Sequence, residues 1–554
     1  MKQYDVVIAG GGPAGSTTAT LIKRYSPHLH ILLLEKAHFP RHHVGESLLA
    51  GASPVLLEMD VYDKVKSYQF VEKLGATYIW GKDRKPWGFE FDEIVAKFAQ
   101  QGKTLPDVYT KAWQVRRAEY DQLLLNHAME VGVEVHQGAR VLHVLRDQET
   151  TRVTGVEYRD EHGTKTVKST WFLDCTGQDA LLGRELGLRD YDEYMNNYAL
   201  FGYWKGAKWK FEYLGHPHLT RIFLVTTPRG WIWYIPVSQD TVSIGFVTSR
   251  QTLKHMPNGP EQLYREEIAS CTEIQDLLTD AYLVRIAQDQ TRDVCSVQDW
   301  SYTSRQMSGP GWAMVGDAAG FVDPILSSGV MLTHELGQKA AYSINSSFAA
   351  NSDETIRSYW NFYDETYHQY LQAYRDMARF WYGNNFSMES WWWQAQRTFA
   401  QQESSLNLTD REAFTRLAFG YATRAESLSL FGSYPLHEAQ QLVNGLFGKS
   451  CDTSGIEATY AKRPLQLKEN AQVVNGLYYY QGRVRTTRRV INTTDKRYLD
   501  LHPAEETLVN LMDGSHTLDD LNGAYQASQN SSIKMPMRSG LDLLVQLDDI
   551  GVLA

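Results

Sequence analysis

The sequence is poor in cysteine, and its cysteines are not arranged to hold a metal ion or a disulfide framework. All four are widely spaced, with no CxxC pair and no Cys/His cluster at metal-ligand spacing: Cys175, Cys271, Cys295 and Cys451. Zinc modules and small disulfide-stapled secreted domains are therefore excluded, because both need closely spaced cysteines. This usage favours the reducing cytosol.

Long apolar runs are also missing. No uninterrupted apolar stretch reaches the roughly 18 residues that a membrane-spanning helix needs, so no membrane span is expected. The apolar stretch 5–9 begins almost at Met1, which leaves no room for the charged region and separate apolar core of a signal peptide. Internal repeats and low-complexity tracts are absent as well. We expect a cytoplasmic protein.

Positive charge is not in excess. The chain has 65 acidic and 55 basic residues and a net charge of -10, which argues against a molecule that coats nucleic acid or an anionic membrane. Its 43% hydrophobic and 12% aromatic residues predict a globular fold. A length of 554 residues predicts about three or four domain-sized units, enough to enclose a large cofactor.

A dinucleotide-binding motif stands at the start of the chain. A strand at 6–9 is followed by a glycine-rich turn, a helix at 16–25 and a second strand at 31–34 that ends in Glu35. The turn consists of Gly10, Gly11, Gly12, Pro13, Ala14 and Gly15. Gly10 permits the tight turn, Gly12 lets a pyrophosphate approach the backbone, and Gly15 lets helix and strand pack closely. Glu35 would accept from ribose hydroxyls; the alternative is a glycine turn with only a structural role.

Two further segments indicate which dinucleotide is bound. The segments 171–177 (WFLDCTG) and 313–320 (AMVGDAAG) resemble the second and third segments of FAD-dependent hydroxylases. By that resemblance Asp317 contacts the cofactor, and its alternative role is the N-cap of a helix before Ala318. Arg117 resembles the flavin-contacting arginine of that class, and its alternative is a solvated residue of a first helical turn.

Three motifs resemble the flavin-dependent halogenase family more narrowly. They are Trp231-Ile232-Trp233-Tyr234-Ile235-Pro236 (WxWxIP), Gly45-Glu46-Ser47 (GES) and the loop Asp323-Pro324-Ile325-Leu326-Ser327-Ser328-Gly329. The resemblance covers about residues 1–340. It implies an FADH2-dependent enzyme that uses dioxygen and chloride or bromide to make hypohalous acid, which an internal tunnel carries to a lysine beside the substrate.

The resemblance assigns that lysine to Lys73, where the alternative is a solvated surface group. The lysine holds the halogen either as a hydrogen-bond donor or as a haloamine, and Lys82 and Lys85 are rival candidates. Glu46 could act as an acid or base near Lys73, and a salt bridge to Arg41 is an equal alternative.

The other site assignments follow the same motifs. Arg41 and Ser47 are assigned to the cofactor, and the backbone N–H groups of Ser328 and Gly329 to halide, with Gly329 also beside FAD. Trp231 and Trp233 share one face of a strand and, with Pro236, are assigned to shielding the flavin or lining the tunnel. For Ser328 and Gly329 the alternative is a serine-glycine turn that opens the next helix. For Trp231 and Trp233 the alternative is a pair of core tryptophans.

One position departs from halogenases of free tryptophan. They carry a glutamate in the Asp-Pro loop, where this chain has Leu326, so a phenolic or pyrrolic substrate is expected, either free or tethered to a carrier protein. No second dinucleotide motif is present, so FADH2 is expected from a separate flavin reductase. Alternatives are an FAD-dependent aromatic monooxygenase and a non-catalytic flavoprotein that binds a partner.

The predicted fold is an α/β, doubly wound Rossmann-like FAD-binding core of the hydroxylase type at 1–340, interleaved with an antiparallel sheet at about 195–300. Strand-like runs at 222–226, 231–237 and 241–247, joined by turn residues, predict that second sheet. An aromatic-rich helical region follows at 341–460, and a small, winged-helix-like module at 461–554. Basic residues within 462–497 suggest docking of an acidic carrier protein; the alternatives are a solvated basic face and, ranked last, DNA binding.

Overall fold

The computed structural model describes residues 2–80, 84–92, 106–255, 258–286, 288–383, 453–461, 463–494, 498–501, 503–529 and 540–554. The chain divides into two compact units, to which the described residues 2–383 and 453–554 belong respectively. The strands of the first unit are, in chain order, β1 (Gln3–Ala9), β2 (Ile31–Glu35), β3 (Val71–Ile79), β4 (Pro86–Glu90), β5 (Trp113–Gln114), β6 (Glu134–Gln137), β7 (Arg140–Arg146), β8 (Val153–Asp160), β9 (Gly163–Asp174), β10 (Arg189–Lys205), β11 (Leu219–Thr227), β12 (Gly230–Pro236), β13 (Thr241–Ser249), β14 (Tyr282–Val284), β15 (Val294–Ser304), β16 (Ser308–Gly309), β17 (Trp312–Met314) and β18 (Gly320–Phe321).

The helices of the first unit connect and cover these strands. They are α1 (Pro13–Tyr25), α2 (Ala52–Glu58), α3 (Tyr62–Ser67), α4 (Arg117–Glu130), α5 (Leu181–Glu185), α6 (Arg250–Lys254), α7 (Gly259–Ser270), α8 (Thr272–Gln275), α9 (Gly329–Ala349) and α10 (Asp353–Gly383). Short 3-10 turns occur at Asp107–Tyr109, Gly177–Asp179, Asp276–Leu278, Gly316–Ala318 and Pro324–Leu326.

The first sheet confirms the predicted parallel core. Its order is β16-β17-β9-β1-β2-β6, with β8 and β7 added antiparallel beyond β9. β1 runs parallel to both β2 and β9, so the glycine turn after β1 lies at the carboxyl edge of the sheet. Ligands of doubly wound sheets bind at that edge. Every residue of β2 is buried, as expected for a strand covered on both faces.

The second sheet contains the predicted antiparallel meander. Its order is β18-β15-β10-β13-β12-β11-β3-β4, and β11, β12 and β13 pair antiparallel in sequence. Leu200, Ile232 and Ile244 pack in one apolar cluster with Leu263 and Ile268 of α7, which covers this part of the sheet. One pairing was not predicted: β3, from early in the chain, joins β11 in parallel and brings Lys73 opposite Thr220.

Aromatic residues predicted on helices after residue 340 are found buried on α10. They include Trp360, Tyr363, Tyr367, Tyr370 and Tyr374. The hydroxyls of Tyr363 and Tyr367 donate to the carbonyls of Met314 and Gly316, so α10 is fixed against the end of the first sheet. Residues 384–452 of the predicted helical region, which include Trp391–Trp393, lie outside the described residues. Among the described helices, none combines the length and apolarity that crossing a bilayer requires.

The second unit combines a small sheet with helices. Antiparallel strands β19 (Ala471–Tyr480), β20 (Arg483–Asn492) and β21 (Tyr498–Leu501) accompany helices α11 (Thr453–Tyr460), α12 (Pro503–Asn510), α13 (Leu518–Gln529) and α14 (Gly540–Asp549). Leucines of α13 and α14, Leu521, Leu543 and Leu547, form its apolar core with Val490 and Leu499. That this unit is a winged helix stays a prediction, and so do the domain limits at residues 340 and 460.

Candidate active site

The glycine turn between β1 and α1 has the geometry of a phosphate cradle. Gly10 has a φ of +106°, and a Cβ there would lie 2.2 Å from the carbonyl oxygen of Cys175. A Cβ at Gly15 would lie 1.9 Å from the carbonyl oxygen of Gly10. A Cβ at Gly12 would approach only the Arg41 guanidinium, at 3.2 Å. The three glycines thus allow the turn, the close packing and an open approach to the backbone, respectively.

The N-terminus of α1 is available to an anion. Its first turn carries no acidic side chain, its N-cap is Gly12, which makes no side-chain cap bond, and Pro13 occupies its first position. Free N–H groups and the helix dipole favour a negative group at such an end. A pyrophosphate therefore fits these residues.

Glu35 is held in place at the end of β2. Its carboxylate accepts from the backbone N–H groups of Gly11, at 2.7 Å, and Ala37, at 2.8 Å. Each carboxylate oxygen has a second lone pair, so Glu35 can still accept from a ribose hydroxyl.

A cavity of about 550 Å³ extends from this turn to β11 and β12 of the second sheet. Most residues predicted to bind the cofactor or to act beside it line this cavity. These are Gly10, Gly12, Pro13, Ala14, Glu35, Arg41, Glu46, Ser47, Arg117, Trp231, Trp233, Asp317 and Gly329. Gly15, Lys73, Pro236 and Ser328 are not among its lining residues.

Arg117 begins α4 and is buried, so the solvated alternative is wrong. Its guanidinium forms a double hydrogen bond with Asp121, at 2.8 and 3.0 Å, and donates to the carbonyl of Val44 at 2.8 Å. The arginine thereby holds the chain that leads into the GES segment. Arg41 also faces Asp121, at 3.5 Å.

Glu46 does not form the salt bridge to Arg41 that was an alternative prediction. Its carboxylate accepts from the hydroxyl of Tyr203 at 2.7 Å and from the N–H of Gly45 at 3.2 Å. Burial raises the pKa of the Glu46 carboxyl, and the Tyr203 hydrogen bond opposes that rise. No interaction of the Glu46 carboxylate with Lys73 is found among the described residues.

Lys73 is a buried residue of β3, with 1% of its surface exposed, so its surface alternative is wrong. Its Nζ donates to the Ser47 hydroxyl at 2.8 Å and to the Leu48 carbonyl at 3.0 Å. Burial lowers the pKa of Lys73 to about 7, and among the described residues no carboxylate contributes to the shift. Ser47 lines the cavity, so the amine lies one side chain behind the wall. Of the rivals, Lys85 is exposed and Lys82 lies outside the described residues.

Trp231 and Trp233 alternate on β12, and both rings reach the cavity wall, with centroids 6.1 Å apart. The Trp231 indole donates to the Tyr382 hydroxyl at 2.9 Å and the Trp233 indole to the Ser243 hydroxyl at 3.2 Å. Pro236 ends the strand. The two tryptophans are thus buried core residues and also line the large cavity, so both predicted roles apply to them.

Two aspartates lie in the turns before α9, of which Asp323 is buried and Asp317 is partly exposed. Asp317 is inside the 3-10 turn Gly316–Ala318, whose N-cap is Val315, so the N-cap alternative for Asp317 is wrong. Burial raises the pKa of Asp317 to about 6 and that of Asp323 to about 7. The Tyr382 hydroxyl lies 3.0 Å from both Asp323 carboxylate oxygens.

A second cavity of about 10 Å³ adjoins these aspartates. Ser328, Gly329, Asp317 and Asp323 contribute to its lining. Ser328 is the N-cap of α9 but makes no side-chain cap bond, and Gly329 is the first helical residue. Leu326, the loop residue on which the expected substrate class depends, is buried.

Tyr203, His42, Asp323 and Tyr382 were missed as individual site residues. Asp323 is one residue of the Asp-Pro loop, and its place directly before Pro324 is the sequence feature that could have identified it. Tyr203 and Tyr382 reach the site from β10 and the end of α10, more than 50 residues from their partners, and no local pattern marks them.

Comparison with known proteins agrees with this geometry. The family model described as tryptophan halogenase matches residues 5–103 and 95–424. The chain is 30% identical to a tryptophan 2-halogenase of Chondromyces crocatus, over 74% of this chain and 73% of that protein. It is 32% identical to a 1H-pyrrole-2-carbonyl peptidyl-carrier-protein chlorinase of Pseudomonas fluorescens, over 59% and 72% respectively. The structure of CmlS, a flavin-dependent halogenase, superimposes with a TM-score of 0.72 and 25% identity, covering 100% of this chain and 96% of that one.

Proposed function

The chain belongs to the tryptophan halogenase family of flavin-dependent halogenases, and we propose that it passes an oxidised halogen through Lys73 to a phenolic or pyrrolic ring. The observation that carries this proposal is the buried amine of Lys73, which contacts Ser47 in the wall of the large cavity. Among the described residues Lys73 has no carboxylate partner, and burying a lysine in this way is costly, which argues for a role in the reaction.

FAD is the cofactor of this family, and the large cavity fits it. The glycine turn and the N-terminus of α1 would hold the pyrophosphate, and Glu35 the ribose. Arg41, Ser47, Arg117 and Asp317 would contact the rest of the cofactor. When bound in reduced form, FAD supplies the electrons that activate dioxygen toward halide.

For the halide we propose the turn at the start of α9. The backbone N–H groups of Ser328 and Gly329 open this 21-residue helix beside the small cavity. Main-chain donors in a concave turn suit weakly basic anions such as chloride and bromide. Asp317 and Asp323 line the same cavity, and burial raises their pKa values to about 6 and about 7, so both are mainly neutral, and repel a halide least, below pH 6.

Lys73 would receive hypohalous acid at its amine. Its two hydrogen bonds, to Ser47 and Leu48, orient the nitrogen. With the pKa lowered to about 7, a large neutral fraction exists at neutral pH, and its lone pair can take up the halogen as a haloamine. This favours the haloamine over a donor role. Trp231 and Trp233 would keep an organic substrate away from the flavin, so that hypohalous acid alone passes.

The substrate proposal rests on the loop before α9. Leu326 offers no carboxylate to orient an indole and accept its proton. Phenols and pyrroles need less help, because their heteroatom already activates the ring. The carrier-protein chlorinase among the relatives supports the pyrrolic and carrier-tethered alternatives, and the tryptophan 2-halogenase supports the indole that Leu326 disfavours. A role in secondary metabolism, in the cytosol, is proposed on the same grounds.

Two partners are proposed. A separate flavin reductase would supply FADH2, since the sequence has no second dinucleotide motif. An acidic carrier protein would dock on exposed cations of the second unit, which include Arg463, Lys468 and Arg485. Arg488 and Arg489 contribute less to this surface, because they pair with Glu506 and Asp500.

The mass of the product tests the function. Enzyme, FAD, a flavin reductase, NADH and bromide are incubated with a panel of phenols and pyrroles, free and carrier-bound. We expect a product with the two-peak bromine isotope pattern. Hydroxylated product without bromine would support the monooxygenase alternative, and FAD binding without any product would support the non-catalytic flavoprotein.

Lys73→Ala tests the relay. We expect flavin reoxidation to continue while brominated product falls by orders of magnitude, because hypohalous acid then forms without a group to hold it. Lys85→Ala, at an exposed lysine six residues beyond β3, is the matched control and should brominate normally. A near-normal yield from Lys73→Ala would contradict the assignment.

A further inference from the structure

A third cavity, of about 30 Å³, lies beside the large one and shares part of its wall. The shared residues are His42, His43, Glu46 and Arg117. The remaining lining includes the partly exposed side chains of Arg116 and Glu119, and Ile286, which is 36% exposed. This third cavity therefore lies between the large cavity and the protein surface.

A chain of hydrogen-bonding groups connects the two cavities. The Nε2 atom of His42 is 3.2 Å from the hydroxyl of Tyr203, which donates to Oε1 of Glu46 at 2.7 Å. Tyr203 is fully buried and Glu46 is 2% exposed. His42 is half-buried and lines both cavities, as does Glu46. Imidazole, phenol and carboxyl groups can each accept and release a proton.

Charged and titratable groups surround this chain. Arg117 of α4 faces Glu46, and Cys295 of β15 faces Tyr203. Asp289 accepts from the backbone N–H of His42, and Arg41 lies on the same segment. Burial raises the pKa of Glu46 and lowers that of His42, so the two values move toward each other. Burial also raises the pKa of Tyr203, so Tyr203 would have to release its proton as it receives another.

The proposed reaction consumes a proton. One dioxygen needs four electrons: two come from reduced flavin and two from the halide, which is oxidised to the hypohalous state. One oxygen atom leaves as hypohalous acid and the other as water, so the products contain three hydrogens. Neutral reduced flavin supplies two, and the third must come from solvent.

We propose that His42, Tyr203 and Glu46 deliver this proton from the third cavity to the large one. Glu46 gives its proton to the oxygen that leaves as water, Tyr203 passes its own to Glu46, and His42 reprotonates Tyr203 and is itself reprotonated from solvent. The inference rests on the proposed halide oxidation. It gives Glu46 a role away from Lys73, in the supply of protons rather than at the amine.

Tyr203→Phe tests the path, because it removes one hydroxyl and keeps the ring. At saturating bromide we expect the turnover number for hypohalous acid formation to fall at least tenfold at pH 8 and much less at pH 6, where protons are abundant. The matched control is Tyr234→Phe, a buried tyrosine of the same sheet whose hydroxyl donates to the Lys208 carbonyl. Equal pH profiles for wild type and Tyr203→Phe would overturn the proposal.

A second measurement uses the flavin-free protein. The carboxyl stretch of Glu46, identified by its loss in Glu46→Gln, is titrated by infrared difference spectroscopy. Tyr203→Phe should raise the pKa of Glu46, because the hydroxyl favours the ionised form. No shift would refute the coupling. If wild type made no hypohalous acid but the shift were present, the proposed function would fail while the coupling of Tyr203 to Glu46 would stand.

Discussion

At the scale of single residues, Lys73 has a measurable thermodynamic cost. Its pKa falls from an ordinary 10.5 to about 7 in the folded protein, so the unfolded chain binds more protons between these values. The free energy of unfolding therefore rises with pH in this range, by up to about 1.4 kcal/mol per pH unit from this group. Below pH 7 the whole cost is present.

We expect this contribution to disappear in Lys73→Met. Between pH 7 and pH 9 the free energy of unfolding of the wild type should gain about 2 kcal/mol relative to the variant. Urea unfolding followed by tryptophan fluorescence measures this difference in the first unit, since every tryptophan precedes residue 394. Parallel pH dependences in the two proteins would mean that Lys73 titrates normally.

Asp323 shows a different use of a buried titratable group. Its carboxylate accepts from Tyr382, whose hydroxyl in turn accepts from the Trp231 indole. The aspartate thus ties the end of α10 to one of the two tryptophans in the cavity wall. Burial raises its pKa, and the hydrogen bond from the N–H of Ile325 and that from Tyr382 limit the rise.

At the scale of elements, the β1–α1 turn separates two roles of glycine. Gly12→Ala should leave the melting temperature of the flavin-free protein close to the wild-type value, because its Cβ meets only the flexible end of Arg41. FAD affinity should fall at least tenfold, since the methyl group takes the place of the pyrophosphate. Fluorescence quenching on FAD binding measures the affinity.

Gly15→Ala is the contrasting variant of the same prediction. Its Cβ would lie 1.9 Å from a backbone oxygen of Gly10, so the turn must shift, and a loss of about 1–3 kcal/mol of stability is expected along with weaker FAD binding. A normal melting temperature for Gly15→Ala, or normal FAD affinity for Gly12→Ala, would contradict these roles.

At the scale of the whole molecule, the proposed division of labour between two proteins can be tested directly. The chain has one dinucleotide motif, followed by Glu35, and we assign it to FAD. With FAD and NADH alone, we expect no more NADH consumption than without enzyme. Photochemically reduced FAD should support halogenation in the absence of any reductase. NADH oxidation by the purified chain would show that it reduces its own flavin.

The sequence by itself determined the family, the parallel sheet around the glycine turn and the meander at 221–249, because these depend on local patterns: glycine spacing, strand periodicity and turn residues. It also placed Lys73 and the two tryptophans among the candidates. These patterns and motifs are short-range, so they can be recognised in the sequence without knowledge of the fold.

Only the tertiary structure decided the environments of the side chains. The parallel pairing of β3 with β11 buries Lys73, and the approach of β10 gives Glu46 a tyrosine partner 157 positions away instead of Arg41. Both depend on which strands become neighbours. The free energy that selects those neighbours comes from packing throughout the core and not from any one local segment of the sequence.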